Sequence, residues 1–145
     1  MKQILRRTLL GLAAMTTMAV ATTSAMAATM TVYVKNDTTS TVEFQAGGGF
    51  QGVPSPSFPT TIIPSGTTAA ISVTSPYPTS TGGSFYYRRQ DNLKRCFFVP
   101  SRTMSGSVWN WPTTNATPSA TGVNCSGTAS NVSSNGDWTA NFRIY

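Results

Sequence analysis

The chain has 145 residues, with ten Lys or Arg, four Asp or Glu and no His, so its net charge at pH 7 is +6. The lack of histidine excludes catalytic arrangements of the Ser-His-Asp and Cys-His kinds and removes the commonest metal ligand. No G-x-x-x-x-G-K-S/T motif occurs, and the G-x-G-x-x-G spacing of Gly47, Gly49 and Gly52 is not followed by a helix pattern, so it predicts a flexible loop. The spacing of the four acids suggests no glycosidase-like carboxylate pair. We therefore expect a protein that is not an enzyme and uses no metal or cofactor.

The N-terminal segment, residues 1–27, has the pattern of a secretory signal peptide. Three basic residues precede an apolar run over 9–20, and Ala25-Met26-Ala27 provides an A-x-A cleavage site. The apolar run is shorter than the ~20 residues that a membrane-spanning helix needs, which argues against an anchor. The adjacent arginines Arg6-Arg7 leave twin-arginine export open beside general secretion. We predict cleavage after Ala27 and a secreted or periplasmic domain over 28–145 with a net charge of +3.

The first half of this domain alternates between strand patterns and turn-rich segments. Apolar residues at every second position predict a strand over 30–35 and another over 41–45, joined as a hairpin by a turn. Residues 46–60 hold three consecutive glycines and three prolines, so we predict a loop that carries Phe50 and Phe58 in polar surroundings. A third strand is predicted over 69–74, followed by a second loop.

The second half predicts a further hairpin and a closing strand. Residues 84–90 and 94–99 form the predicted hairpin, which Pro100 ends, and 104–111 is a further strand that Pro112 closes. The polar segment 113–136 is either a long excursion or contains a short edge strand. Residues 137–145 alternate again and predict a final strand. Seven or eight short strands favour one antiparallel β-sandwich.

Cys96 and Cys125 are the two cysteines of the chain. Exported proteins fold in oxidising surroundings, so we predict a disulfide between them, with two free thiols as the alternative. A disulfide also removes the last thiol nucleophile and thiolate metal ligand.

Five of the seven basic residues of the predicted domain lie between positions 88 and 102, next to an aromatic run. Clustered like charges are unfavourable unless they are solvated or face an anion. The segment therefore predicts contact with anionic lipid headgroups or acidic glycans, and the alternative is a solvated hairpin end that discourages edge aggregation. Nucleic acid is not an expected partner of an exported, modestly basic domain. The candidate binding residues here are Tyr86, Tyr87, Arg88, Arg89, Lys94 and Arg95.

Trp109 and Trp111 form a second candidate binding site. Residues i and i+2 of a strand share a face, so both indoles would form a platform for a sugar or lie at a membrane interface. Burial of both rings in the sandwich core is the alternative.

Three turn patterns of the domain resemble those of aegerolysins, a family of small β-sandwich proteins. A strand runs into an Asn-containing turn over Val32–Thr38, Pro64-Ser65-Gly66 precedes a strand, and a Gly-rich turn leads into a strand in Thr81-Gly82-Gly83-Ser84-Phe85-Tyr86-Tyr87. The resemblance implies binding to particular membrane lipids, in some members with a partner that forms pores. It assigns no functional residue, and the signal peptide and the polar segment 113–136 depart from the family pattern.

These patterns together predict a secreted binding module that recognises a membrane-lipid or glycan surface through aromatic and basic side chains. The alternative is a structural subunit of an extracellular filament or surface assembly, since terminal strands, low charge and Thr-rich faces suit self-assembly through strands. A secreted toxin or inhibitor of another protein is a third possibility.

Overall fold

A computed structural model describes residues 27–145, and within this range the chain forms strands and turns without a helix. The predicted signal peptide lies outside the described residues apart from Ala27. The strands are β1 (Thr29–Asn36), β2 (Val42–Phe50), β3 (Pro54–Ser55), β4 (Thr61–Ile62), β5 (Ile71–Thr74), β6 (Ser80–Arg89), β7 (Arg95–Ser105), β8 (Val108–Trp109), β9 (Thr113–Pro118), β10 (Cys125–Ser130) and β11 (Trp138–Ile144).

The strands form two sheets, as the predicted β-sandwich requires. The first sheet has the order β10-β11-β1-β5-β3, and the second has the order β4-β2-β6-β7, with β8 and β9 both paired to β7. All neighbouring strands are antiparallel except β1 and β11, which are parallel. The strands outnumber the predicted seven or eight because β3, β4 and β8 have two residues each, too few to show an alternating pattern.

The predicted hairpin of the first two strands is wrong, although both strands exist. β1 pairs with β11 and β5 in the first sheet, whereas β2 lies in the second sheet. Asn36, at the end of β1, donates from Nδ2 to the carbonyls of Ser40 and Ile62, and its Oδ1 accepts hydrogen bonds from Thr38. The Asn-containing turn therefore carries the chain from one sheet to the other instead of closing a hairpin.

The glycine run extends β2, which corrects the predicted loop over 46–60. β2 continues to Phe50 with a bulge between Ala46 and Gly49 in its pairing with β6. A Cβ at Gly47 would overlap the carbonyl oxygen of Ser84, and Gly49 has a φ of 88°, which favours glycine. The glycines are thus what allows β2 to lie close to β6 at the bulge.

Phe58 lies in the core instead of the predicted polar surroundings, and Phe50 is partly buried against the core. Phe58 is 8% exposed, and its ring stacks on those of Phe44 and Phe50 at centroid distances of 5.2 Å each. The prolines of the segment connect β3 and β4 at the sandwich edge while this ring turns inward.

The hairpin of β6 and β7 is confirmed, and both strands are longer than predicted. Pro100 does not end β7. The ladder skips the residues around it, since pairing stops at Gly82↔Ser101 and resumes at Phe85↔Phe98. Pro100 has no N–H to donate and lies within this gap, while its pairing with Thr114 continues the β7–β9 ladder. The predicted strand over 104–111 instead turns at Gly106, so that β8 folds back on the end of β7.

The polar segment 113–136 contains two strands, β9 and β10, which close one side of the sandwich. β9 pairs with β7, and β10 pairs with β11. The two strands approach closely, since a Cβ at Gly127 would overlap the carbonyl oxygen of Thr114. The predicted disulfide is confirmed at this side: Cys96 of β7 and Cys125 of β10 join the two sheets with their Cα atoms 5.8 Å apart.

Phe85 is the centre of the packing between the sheets. Its ring lies within 6.5 Å, centroid to centroid, of six other rings. The final strand β11 is confirmed, and its apolar side chains complete the core from the first sheet. The neighbouring rings are those of Phe44, Phe50, Phe58, Tyr87, Phe98 and Phe142.

Arg102 is a buried cation, 4% exposed, whose guanidinium hydrogen-bonds to the backbone of two loops. Its Nε donates to the carbonyl of Asn110, and its Nη1 donates to the carbonyls of Ser133 and Asp137 at 2.9 and 3.0 Å. The guanidinium lies 5.5 Å from the ring centroid of Trp109. Although it is near the basic segment in sequence, Arg102 acts inside the fold, between β7 and the loop that precedes β11.

Removing the disulfide by the double substitution Cys96→Ala/Cys125→Ala is expected to lower the free energy of unfolding by about 3–4 kcal/mol, because the unfolded chain regains the entropy of a 29-residue loop. Urea unfolding with and without reductant measures this. The reductant should destabilise the natural chain and leave the double variant unchanged; equal unfolding midpoints of the two proteins in the absence of reductant would contradict the prediction.

The substitution Phe85→Ala is expected to cost about 3–5 kcal/mol, because it leaves a cavity among six rings. Phe97→Ala on the neighbouring strand is the matched control, since Phe97 is 38% exposed, and should cost less than about 1 kcal/mol. Chemical unfolding of both variants tests the difference, and similar losses would show that Phe85 is not the centre of the core.

Candidate functional site

The strand pleat divides the aromatic-basic segment between two faces of the second sheet. Tyr87 points inward with Phe85 and is fully buried, and its hydroxyl donates to the carbonyl of Pro59 at 3.0 Å. Tyr86 points to the outer face. Tyr87 is therefore a core residue, and Tyr86 is the one of the two that a ligand can reach.

Most of the basic side chains of the segment already have a partner. Arg88 hydrogen-bonds to Glu43 across the strands, and this contact holds the pKa of the Glu43 carboxyl below its usual range. Arg89 does the same for Asp91 at the hairpin turn. Lys94 donates from Nζ to the carbonyl of Thr121. Arg88 and Arg89 therefore bring little uncompensated charge to the surface, whereas the partner of Lys94 is a neutral carbonyl.

Arg95 is the exception among the candidate arginines. Its guanidinium lies 5.1 Å from the centroid of the Tyr86 ring, and among residues 27–145 no carboxylate lies within ion-pair distance of it. Arg95 also faces Arg88 across the β6–β7 ladder, as the predicted hairpin required. The positive charge of Arg95 is thus held on an aromatic ring and is open to an anion.

A shallow groove of about 370 Å³ lies on the outer face of the second sheet beside this pair. Phe97 stands next to Tyr86 with ring centroids 6.1 Å apart and a 54° angle between the planes. We call this surface the Tyr86 groove. It is lined by Tyr86, Arg95, Phe97, Thr117, Pro118 and Ser119.

Strand register assembles the Tyr86 groove from three strands. Tyr86 of β6 is opposite Phe97 of β7, which is opposite Thr117 of β9. Phe97 is absent from the sequence-based candidates although the alternation carried a signal, because the inward positions Cys96 and Phe98 place it outward. Thr117 and Ser119 lie in a low-complexity polar segment, where no alternation of apolar residues predicts which side chains point outward.

The two tryptophans of the second candidate site differ in exposure. Trp109 is partly buried against Gly136 and below Arg102, whereas Trp111 lies beyond β8 and is 73% exposed. The third tryptophan, Trp138, is a core residue whose Nε1 donates to the hydroxyl of Thr81 at 2.8 Å. Of the predicted pair, one exposed ring is therefore available to a ligand.

The basic side chains are concentrated toward one end of the sandwich, where Ile63, Leu93, Phe97 and Tyr145 are also exposed, whereas the other end exposes apolar side chains without basic ones. The loops before β1 and β6 and after β5 and β7 form an end of the sandwich that we call the apolar end; its large exposed side chains are Val53, Tyr77, Val108 and Trp111. In the described residues, six of the seven basic side chains lie toward the opposite, basic end; the seventh is the buried Arg102.

Burial raises the pKa of the Tyr87 phenol above its usual value of 10.0. The folded state thus keeps its proton where the unfolded chain loses it, and above pH 10 stability should fall by up to about 1.4 kcal/mol per pH unit. Urea unfolding at pH 9 to 11.5 measures this, and the free energy of unfolding of Tyr87→Phe should not show this part of the fall with pH. At neutral pH the variant should be less stable than the natural chain by about 1 kcal/mol, because it lacks the hydrogen bond to Pro59.

The exposed Tyr77 supplies the control, since Tyr77→Phe also removes one phenol. At neutral pH it should change the free energy of unfolding by less than about 0.5 kcal/mol, because Tyr77 is exposed. An unchanged slope in Tyr87→Phe would contradict the assignment.

Residues 27–145 contain no cluster of three or more His, Cys, Asp or Glu side chains that could hold a metal ion. In the same range, no helix is long and apolar enough to cross a membrane. No protein-family model and no curated protein sequence matches the chain. The candidate site is therefore described by its own geometry: an aromatic groove with one unpaired guanidinium and two hydroxyl side chains.

Proposed function

We propose that the domain is a non-enzymatic binding module that acts outside the cytoplasm and recognises acidic glycans through the Tyr86 groove. The observation that carries the proposal is the unpaired guanidinium of Arg95, held on Tyr86 beside the exposed ring of Phe97.

The chemistry of the groove matches that of an acidic sugar. Aromatic rings pack against the C–H faces of sugar rings while the ring edges remain in water. A guanidinium binds carboxylate or sulfate with two parallel hydrogen bonds, and cation–π contact orients it beforehand. Thr117 and Ser119 add hydroxyls for sugar oxygens. A volume of about 370 Å³ falls within the range of small-ligand sites.

The disulfide and the signal-peptide pattern support a location outside the cytoplasm. Cys96–Cys125 is compatible with an oxidising compartment. Acidic polysaccharides are abundant ligands at cell surfaces, where such a module would meet them as repeated units.

A membrane-lipid surface is the rival ligand. Trp111 and Tyr77 at the apolar end are residue types that favour the membrane interface. The exposed basic side chains, however, lie toward the opposite end of the sandwich, so one approach cannot bring Trp111 and Tyr77 together with them to an anionic bilayer. The apolar side chains exposed at the basic end, Ile63, Leu93, Phe97 and Tyr145, include no tryptophan, which favours a glycan over a lipid surface there.

Self-assembly through strands receives less support from the sheet edges. On one side the edge strands β3 and β4 have two residues each, and β3 begins with Pro54; on the other side β9 and β10 lie against each other. Short, proline-bearing or covered edges disfavour strand addition by a second chain.

The test is binding of residues 28–145 to heparin and alginate, a sulfated and a carboxylated polysaccharide, with dextran as the neutral comparison. Arg95→Gln should weaken binding 10- to 100-fold, because it removes a charge-assisted contact of about 1.5–3 kcal/mol. Lys94→Gln is the matched control, since it removes the same charge one residue outside the groove, and should weaken binding less than threefold.

Equal effects of Arg95→Gln and Lys94→Gln would show that binding follows net charge and would contradict the proposal. Absence of binding to both acidic polysaccharides, together with co-sedimentation with vesicles that contain phosphatidylglycerol and loss of that co-sedimentation in Trp111→Ala, would assign the membrane surface instead.

A further inference from the structure

A second groove lies on the outer face of the first sheet, on the opposite side of the sandwich. Its volume is about 380 Å³. Tyr33 and Lys35 project outward from β1, and Asn141 and Arg143 project outward from β11 at the paired positions. Thr67 and Phe142 complete the lining. We call this surface the Tyr33 groove.

The Tyr33 groove carries an excess positive charge, as the Tyr86 groove does. Lys35 and Arg143 both contact the carboxylate of Asp37, at 2.8 and 2.6 Å. Hydrogen bonds from these two cations hold the pKa of Asp37 below its usual range, so the carboxylate is ionised at neutral pH. One carboxylate shared by two exposed cations leaves one net positive charge at the groove.

The two grooves have the same kinds of groups in different arrangements. Each has a tyrosine ring, a guanidinium that carries or shares the net charge, and hydroxyl or amide side chains that can bond to sugar oxygens. Because the grooves lie on the outer faces of two sheets packed about 10 Å apart, each faces away from the other. One sugar unit cannot occupy both, but two separate chains can.

We infer that the Tyr33 groove is a second acidic-glycan site, so that the domain is bivalent and cross-links acidic polysaccharide chains. The inference rests on the proposed function, since it assigns the same ligand class to a second surface. Bivalence would raise the avidity for a dense glycan surface above that of either groove, through the high effective concentration of neighbouring sugars.

The experiment combines stoichiometry with cross-linking. Calorimetric titration with a heparin tetrasaccharide should give two sites per chain, and mixing with long heparin should give turbidity. Arg143→Gln should reduce the stoichiometry to one, abolish turbidity and leave the Tyr86 groove intact. Arg95→Gln should also reduce the stoichiometry to one and abolish turbidity, but the remaining site should be the Tyr33 groove. The double variant should lose at least 90% of the binding.

Tyr33→Ala keeps the ion pairs of Asp37 and serves as the second variant of the Tyr33 groove, with unfolding midpoints measured for each protein. If the natural chain binds one tetrasaccharide, and Arg143→Gln and Tyr33→Ala bind it as the natural chain does, the inference is overturned and the proposed function stands. Absence of tetrasaccharide binding by the natural chain would overturn both.

Discussion

Phe85 and the six rings around it form the contact on which the packing of the two sheets depends. Phe44 and Phe50 come from β2, Phe98 from β7 and Phe142 from β11, so the cluster joins both sheets. Phe58 adds a ring from the connection between β3 and β4, with its centroid 4.7 Å from that of Phe85. A domain of about 120 residues has a modest core, and large rings bury more apolar area per residue than aliphatic side chains do. Of the aromatic residues outside this cluster, Trp138 is also buried, and the rings that a ligand can reach include Tyr86, Phe97 and Trp111.

The distribution of carboxylates decides which basic side chains can meet a ligand. Glu43, Asp91 and Asp37 all lie beside cations at the basic end, and each has a pKa lowered by hydrogen bonds from Arg88, from Arg89, or from Lys35 and Arg143. Exposed pairs of this kind contribute little to stability because water screens them. Their effect is to neutralise charge locally, which leaves Arg95 and Lys94 at the β6–β7 hairpin, and one net charge near Asp37, as positive features of the surface.

The alternation of apolar residues predicted much of the strand content but less of the pairing. Phe85 and Tyr87 inward, and Tyr86 outward, follow from period two, and the β6–β7 hairpin follows from a short turn between two strong strands. The pairing of β1 with β11 joins residues about 108 positions apart, such as Met30 with Trp138, and no local pattern encodes such a contact. The predicted hairpin of β1 and β2 was wrong for the same reason. A turn pattern shows that the chain changes direction, but it does not show which sheet the next strand joins.

The structure adopted at glycine and proline depends on the residues that lie near them in the fold, which the sequence does not show. The run at Gly47 reads as a loop in isolation, yet close approach to Ser84 requires those glycines within a bulged strand. Pro100 lies inside β7 where the β6–β7 ladder skips its pairing. In the same way, the sequence placed Tyr86 and Arg95 in one hairpin, but Thr117 joined the candidate groove through β9 alone.

The sequence by itself determined the class of fold, the disulfide and the inward or outward direction of side chains on the strong strands, because these depend on residue period and on the presence of just two cysteines. The tertiary structure decided which strands are neighbours, which aromatic rings are buried and which cations have a carboxylate beside them. Those properties arise from contacts between distant segments, as between Glu43 and Arg88 or between Asp37 and Arg143. The two grooves are therefore products of the packed sheets, although each of their residues is visible in the chain.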